Sequence, residues 1–343
     1  MLLVEEKRTG KFVAERNAFA VNRYAGEYYS RKQVLLEITH EIMGCGASIS
    51  LAVLFPLSYV GLLHIADHKG TDRNDPLSIR KRFIAAVVNN VLSVTITYGV
   101  LSQRGDPSPL RSMGFRAEGT IAALILPAVL VAVLYTGQWL MMYLDGHLWS
   151  NFSLSEWKAS FCQPTWIRDA IMAPVTEEIA FRCCCASLLS GCLSPLMTII
   201  VCPLPFASSH FHHVGDDRRR GFSLSEATAR RAFQFAYTYA FGAYATYLFL
   251  STGHALAPIV THAMCNSLGL PMFTEIATFT HRWQRGLLWA AYAAGTCGFI
   301  VLLGPLTKAE LYQRWLSEVF VFVIVSFCMH HIANLVHSYG NEM

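Results

Sequence analysis

Charge is scarce in this chain. Asp, Glu, Lys and Arg make up 15% of its 343 residues, where soluble domains carry about 25%. Hydrophobic residues make up 53%, and mean hydropathy is +0.37. That shortage excludes an ordinary soluble domain and leaves a polytopic membrane protein. A surplus of one sign is lacking too. The net charge is +4, with basic residues scattered through short loops, which argues against nucleic acid as a partner. Lys and Arg fall in comparable numbers on both sets of alternate loops, so the positive-inside rule does not set the orientation. Met1-Leu-Leu-Val-Glu-Glu-Lys7 reaches charge too soon to form the apolar core of a signal peptide, so an internal span is expected to drive insertion. No repeat period and no low-complexity tract stands out. The ten cysteines show neither a disulfide framework nor a pair of CxxC motifs. Cys183, Cys184 and Cys185 are consecutive, and Cys45, Cys202, Cys265, Cys297 and Cys328 lie in apolar stretches. They are read as small buried hydrophobes. No HExxH motif is present.

What is present is a series of apolar runs. Residues 42–65 carry no Asp, Glu, Lys or Arg and are long enough for a bilayer core, which takes about 20 residues. Further helices are expected over 83–103, 119–144, 166–189, 193–211, 231–250, 256–273 and 286–306, with charged loops at 67–76 and 212–229. An apolar run at 319–329, ending in His330-His331, is either a ninth span or an interfacial helix. The fold class is therefore all-α, a polytopic transmembrane helical bundle of about eight spans with a candidate ninth C-terminal hydrophobic helix. The expected divisions are a polar basic extension at 1–40, a membrane domain at 41–315 and an apolar tail at 316–343.

Chemistry concentrates in the few polar residues inside these runs. Pro174 is expected to open a helix, because a first-turn position needs no backbone N–H partner. On that helix Glu178 and Arg182 are four apart and can pair. Glu177 points about 100° away and is left free. A charge facing lipid costs at least about 2.5–3.5 kcal/mol, so these groups must face the bundle interior or a watery cavity. Phe206 and His210 share one helical face, as do His262 and Asn266. A free carboxylate, two imidazoles and a carboxamide form a hydrolytic set. Glu beside a neutral His can take a proton from water. His with Asn can donate to a developing oxyanion. Other readings stay open on these residues. The Glu178–Arg182 pair also suits a structural strut, His212 and His213 suit a helix end, and Glu177, His210 and His262 together match a catalytic zinc set. A membrane scaffold or a proton-relaying transporter would also use buried Glu residues.

Glu177-Glu178-Ile-Ala-Phe-Arg182, Phe206-Ala-Ser-Ser-His210 and His262-Ala-Met-Cys-Asn266 stand in this order. They resemble the EExxxR, FxxxH and HxxxN motifs of the type II CAAX prenyl proteases. Met113-Gly-Phe-Arg116, His210-Phe-His-His213 and Tyr237-Thr-Tyr-Ala-Phe-Gly242 add to the likeness, which covers about residues 42–315. EExxxR alone is shared with a wider superfamily that includes immunity-type members. The resemblance implies an eight-helix bundle in the endoplasmic reticulum membrane. It implies an endopeptidase that releases the last three residues of prenylated CAAX proteins, such as Ras-like small GTPases. Carried onto this chain, Glu177 and His210 would activate water, and His262 and Asn266 would form the oxyanion site. Glu178 and Arg182 would support them. No cofactor is implied, and zinc is the less favoured alternative.

Overall fold

In the computed structural model, residues 44–67 and 74–313 are described. The basic extension at 1–40, the tail at 316–343 and the candidate ninth helix lie outside the described residues. Two compact units are distinguished, Met1–Ile49 and Ser50–Met343. The packing and the site described below belong to the second. No strand occurs among the described residues, in keeping with the all-α expectation.

The helices in chain order are α1 (Gly44–Ala66), α2 (Pro76–Gln103), α3 (Thr120–Leu134), α4 (Thr136–Leu144) and α5 (Leu154–Phe161). A continuous helical run over 164–190 forms α6. It is followed by α7 (Pro195–Val201), α8 (Pro203–Ser209), α9 (Leu224–Thr252), α10 (Leu256–Leu268) and α11 (Arg282–Leu306). Helices α1, α2 and α11 are long and apolar enough to cross a membrane, and α3 with α4 makes a fourth crossing if the pair counts as one span.

Helix α2 shows the solvent that the fold is built for. Its buried face carries Ser78, Asn89, Asn90, Ser93 and Thr97, while Ile84, Val88, Val91 and Leu92 are exposed. A helix with polar groups inward and apolar groups outward suits lipid, where inward polar groups find partners on neighbouring helices. Ser58 donates to Asn89 at 2.8 Å, and Asn90 donates to the Thr176 carbonyl at 2.9 Å. The start of α2 is set by Pro76 and by the Asp75 side chain, which accepts from the Leu77 N–H. Asp67, expected to open a hydrophilic connector, is instead buried against α2, accepting from Ser78 and from Arg82.

Several expected spans are interrupted. The run at 119–144 bends by 64° between α3 and α4. The Thr136 hydroxyl donates to the Val133 carbonyl at 2.6 Å, a local bond that competes with the helical ladder at the bend. The run at 193–211 breaks at Pro203, whose ring cannot continue the ladder. Part of the expected loop at 212–229 is helical. Val214–Arg219 forms a short turn, and Asp217 in it is buried against Arg231 at 2.7 Å. Helix α9 then begins at Leu224, capped reciprocally by Ser223 and Glu226.

The interior is lined by Met113, Cys183, Cys184, Cys185, Leu188, Cys202 and Phe249, all close to fully buried. These cysteines pack as small hydrophobes, as expected. Cys45 and Cys192 do not, because each is disulfide-bonded, and Cys297 is exposed.

Close helix contact depends on glycine at 137. A Cβ there would lie 2.3 Å from the Tyr292 ring of α11. Gly137→Ala should therefore lower stability by about 1–3 kcal/mol. Gly99→Ala, with nothing within 4 Å of its Cβ, should not. Thermal unfolding of the two purified variants checks this, and equal melting would contradict it.

Candidate active site

Helix α6 starts at Pro164, close to the expected 166, and Pro174 stands in the first turn of its α-helical piece Ala173–Glu178 rather than at the start of the run. The chain stays helical through Pro174 because the preceding turn is π-wound over Arg168–Met172, with the Ala173 N–H reaching five residues back to the Arg168 carbonyl. A second π-wound stretch covers Ile179–Ala186. Such widened turns are uncommon and cluster at functional sites. Here one lies on either side of the short α-helical piece Ala173–Glu178, which carries both carboxylates.

Glu178 and Arg182 pair as their spacing predicts. Arg182 Nη1 donates to Glu178 Oε1 at 2.9 Å, and both side chains are fully buried. Arg182 Nη2 donates to the Gly242 carbonyl of α9 at 3.2 Å. A Cβ on Gly242 would stand 3.2 Å from that nitrogen and 2.8 Å from Pro203 Cβ, so a larger residue would obstruct the guanidinium. The guanidinium also lies 5.4 Å from the Phe206 ring centroid, a cation–π distance.

His262 on α10 completes the cluster. Its Nδ1 lies 2.7 Å from Glu178 Oε1, and its Nε2 lies 3.8 Å from Glu177 Oε2. The imidazole therefore bridges the two carboxylates. Glu177 keeps 22% of its side chain exposed, beside a fully buried Glu178. Neighbouring carboxylates thus have different surroundings: one is clamped and the other is accessible.

His210 follows α8. Its Nδ1 lies 3.1 Å from the Phe206 carbonyl. A carbonyl only accepts, so Nδ1 carries the hydrogen of this bond. The Phe206 ring lies 5.4 Å from His210 and 6.4 Å from His262, so it spaces the two imidazoles. Asn266, one turn beyond His262, is exposed and donates its amide to the Asp169 carbonyl at 2.9 Å. The carboxamide has a second N–H. It is tied to the π-wound turn of α6 rather than hydrogen-bonded to His262. His213 meets Asp216 at 3.0 Å outside this cluster, which fits the helix-end reading.

Two supporting residues have no motif to betray them. The Tyr59 hydroxyl lies 2.8 Å from Thr176 Oγ1, and Asn90 holds the Thr176 carbonyl, so the residue before Glu177 is tied to α1 and α2. Phe241 covers His262, with centroids 4.8 Å apart. Phe241 and Gly242 lie in a stretch whose resemblance was visible in the sequence. Tyr59 and Asn90 sit in apolar runs, and only their polarity there was a clue. Among the described residues, no three His, Cys, Asp or Glu side chains are grouped to hold a metal ion.

In a helical bundle with apolar outer faces, a clamped buried carboxylate, a partly exposed carboxylate and two imidazoles make a candidate hydrolytic site. Residues 160–268, from the end of α5 to the end of α10, match the family model for type II CAAX prenyl endopeptidase, Rce1-like. The CAAX prenyl protease 2 of Caenorhabditis elegans is 46% identical over 258 residues, covering 75% of this chain and 96% of that protein. The Homo sapiens CAAX prenyl protease 2 is 34% identical over 278 residues, covering 78% and 83%. The Arabidopsis thaliana CAAX prenyl protease 2 is 31% identical over 258 residues, covering 68% and 79%. The chain belongs to the Rce1-like family of type II CAAX prenyl endopeptidases. No solved structure matches it significantly.

Removing one partner of a buried ion pair strands the other. Arg182→Met should cost about 3–5 kcal/mol, while replacing both charges, as in Glu178→Gln with Arg182→Met, should recover much of that. Thermal unfolding of the single and double variants is the check. A single variant as stable as the parent would refute the clamp.

Proposed function

We propose that this chain cleaves prenylated CAAX proteins after the prenyl-cysteine, releasing the last three residues, with Glu177 and His210 activating the water. The observation that carries the reading is the division of the Glu177–Glu178 pair. Glu178 is committed to Arg182 and His262, which leaves Glu177 accessible and next to an imidazole. Glu177 takes a proton as water attacks the scissile carbonyl and passes it to the departing amine. His210 orients the same water.

His262 and Asn266 stabilise the oxyanion. His262 is held at Nδ1 by Glu178 and presents Nε2 on the side of Glu177. Asn266 brings its remaining amide hydrogen, its orientation held by the Asp169 carbonyl. No metal is assigned a role. The substrate's lipid remains in the bilayer while its peptide end enters the polar site, each buried CH₂ contributing about 0.8 kcal/mol. The natural setting is the endoplasmic reticulum membrane, with eight spans, and Ras-like small GTPases are among the substrates. The family assignment and the apolar outer face of α2 support this setting.

Glu177→Ala, His210→Ala and His262→Ala should each abolish cleavage of a prenylated CAAX peptide by protein that still inserts. Asn266→Ala should lose about 10²–10³ in rate, as for one oxyanion donor. Near-parental turnover in any of the first three removes that residue from its role. Binding without cleavage by the parent protein would mark a scaffold. Treatment with a chelator should leave the rate unchanged, and loss restored by zinc would overturn the metal-free mechanism.

A further inference from the structure

Beside the catalytic cluster lies a second polar feature that the chemistry above does not use. A cleft of about 410 Å³ is lined by Gln138, Asp145, His147, Ser267, Met272 and Glu275, among others. That is within the roughly 300–1,000 Å³ of ordinary ligand sites. It begins at the residue after Asn266. Ser267 is five residues beyond His262 on α10, about 7.5 Å along the axis.

Gln138 supplies the cleft with a held polar side chain. The residue is 4% exposed. Its carbonyl oxygen accepts from the Tyr292 hydroxyl at 3.0 Å and from the Met272 N–H at 3.4 Å. Its amide nitrogen has no partner among the described residues. The residue lines the cleft and this nitrogen is not sealed from solvent, so an acceptor in the cleft can reach it. Asp145 and Glu275 also line the space without hydrogen-bond or ion-pair partners among the described residues, and no Lys or Arg lines it. The cleft therefore offers a donor for a carbonyl and carboxylates for cations. Exposed aromatics flank both sides in sequence: Trp149, Phe152 and Trp157 after Asp145, and Phe273, Trp283 and Trp289 around Glu275. Exposed Trp residues of this kind gather at the level of the lipid headgroups.

We infer that this cleft binds the substrate segment on the N-terminal side of the prenylated cysteine and selects for basic residues there. The inference rests on the proteolytic reading above. Gln138 donates to a carbonyl of the extended peptide, while Asp145 and Glu275 face its Lys or Arg side chains. The released tripeptide is excluded as occupant, because its terminal carboxylate would meet two carboxylates. The upstream segment must leave the bilayer towards a folded protein, and an opening at headgroup level provides that exit.

The test uses full-length protein in phosphatidylcholine vesicles, which carry no net charge to attract a basic peptide. Two farnesylated peptides share one CAAX ending and differ upstream, one with lysines and one with serines. The parent protein should favour the lysine peptide in kcat/KM by about five- to tenfold at low salt, and by less at high salt. Asp145→Lys with Glu275→Lys should bring that ratio to one or below. A photoreactive lysine analogue upstream of the cysteine should cross-link to residues within 138–151 or 267–278 of the parent protein, which tests the cleft even if the double variant misfolds. Equal cleavage of both peptides by the parent, a preference that survives charge reversal, or cross-links elsewhere would overturn the inference alone. Cleavage of neither peptide would overturn the proteolytic reading and the inference built on it.

Discussion

The structure depends on a buried charge cluster, in which Glu178 accepts from Arg182 and from His262 at a single oxygen. Taking two such charges out of water costs several kcal/mol each, and their attraction offsets this only with good geometry and further hydrogen bonds. The further bonds come from distant parts of the chain. Arg182 reaches the Gly242 carbonyl on α9 and the Phe206 ring on α8, and Glu178 reaches His262 on α10. One ion pair therefore holds four helices, and the same pairing leaves Glu177 as the partly exposed carboxylate.

The surroundings of the cluster follow from its cost. Helix α6 widens into π turns on either side of the carboxylates, which lets it stay helical through Pro174. The preceding Thr176 is fixed from two sides by Tyr59 and Asn90. Glycine at 242 lets the guanidinium approach a backbone carbonyl. The polar residues of α2 point inward to reach such partners, and its apolar residues point outward, because lipid supplies no hydrogen bonds.

Much of the fold could be read in advance. The scarcity of charge announced a helical membrane protein, and the apolar runs located α1, α2 and α11 to within several residues. The interruptions were harder to see. Hydropathy registers composition, not direction, so the bend between α3 and α4 left no trace in it. The start of α9 did have a signal, the Ser223–Glu226 capping box, hidden in what looked like a charged loop. Asp67 and Asp217 read as solvated loop residues because their partners, Arg82 and Arg231, are remote enough in sequence to escape a local pairing rule.

In the site, the sequence by itself determined the chemical inventory and one local pair. Glu178 and Arg182 are a helical turn apart, and any helix through them makes the pair available. It also determined the family, since three spaced motifs in order survive without coordinates. Only the tertiary structure decided how the inventory is shared out. It brought His262 between both carboxylates, tied Asn266 to the Asp169 carbonyl, and used Phe206 to space two imidazoles. The reason is geometric. Spacing along one helix specifies neighbours within a turn or two, whereas His262 and Glu178 lie 84 residues apart and meet only because α10 packs against α6.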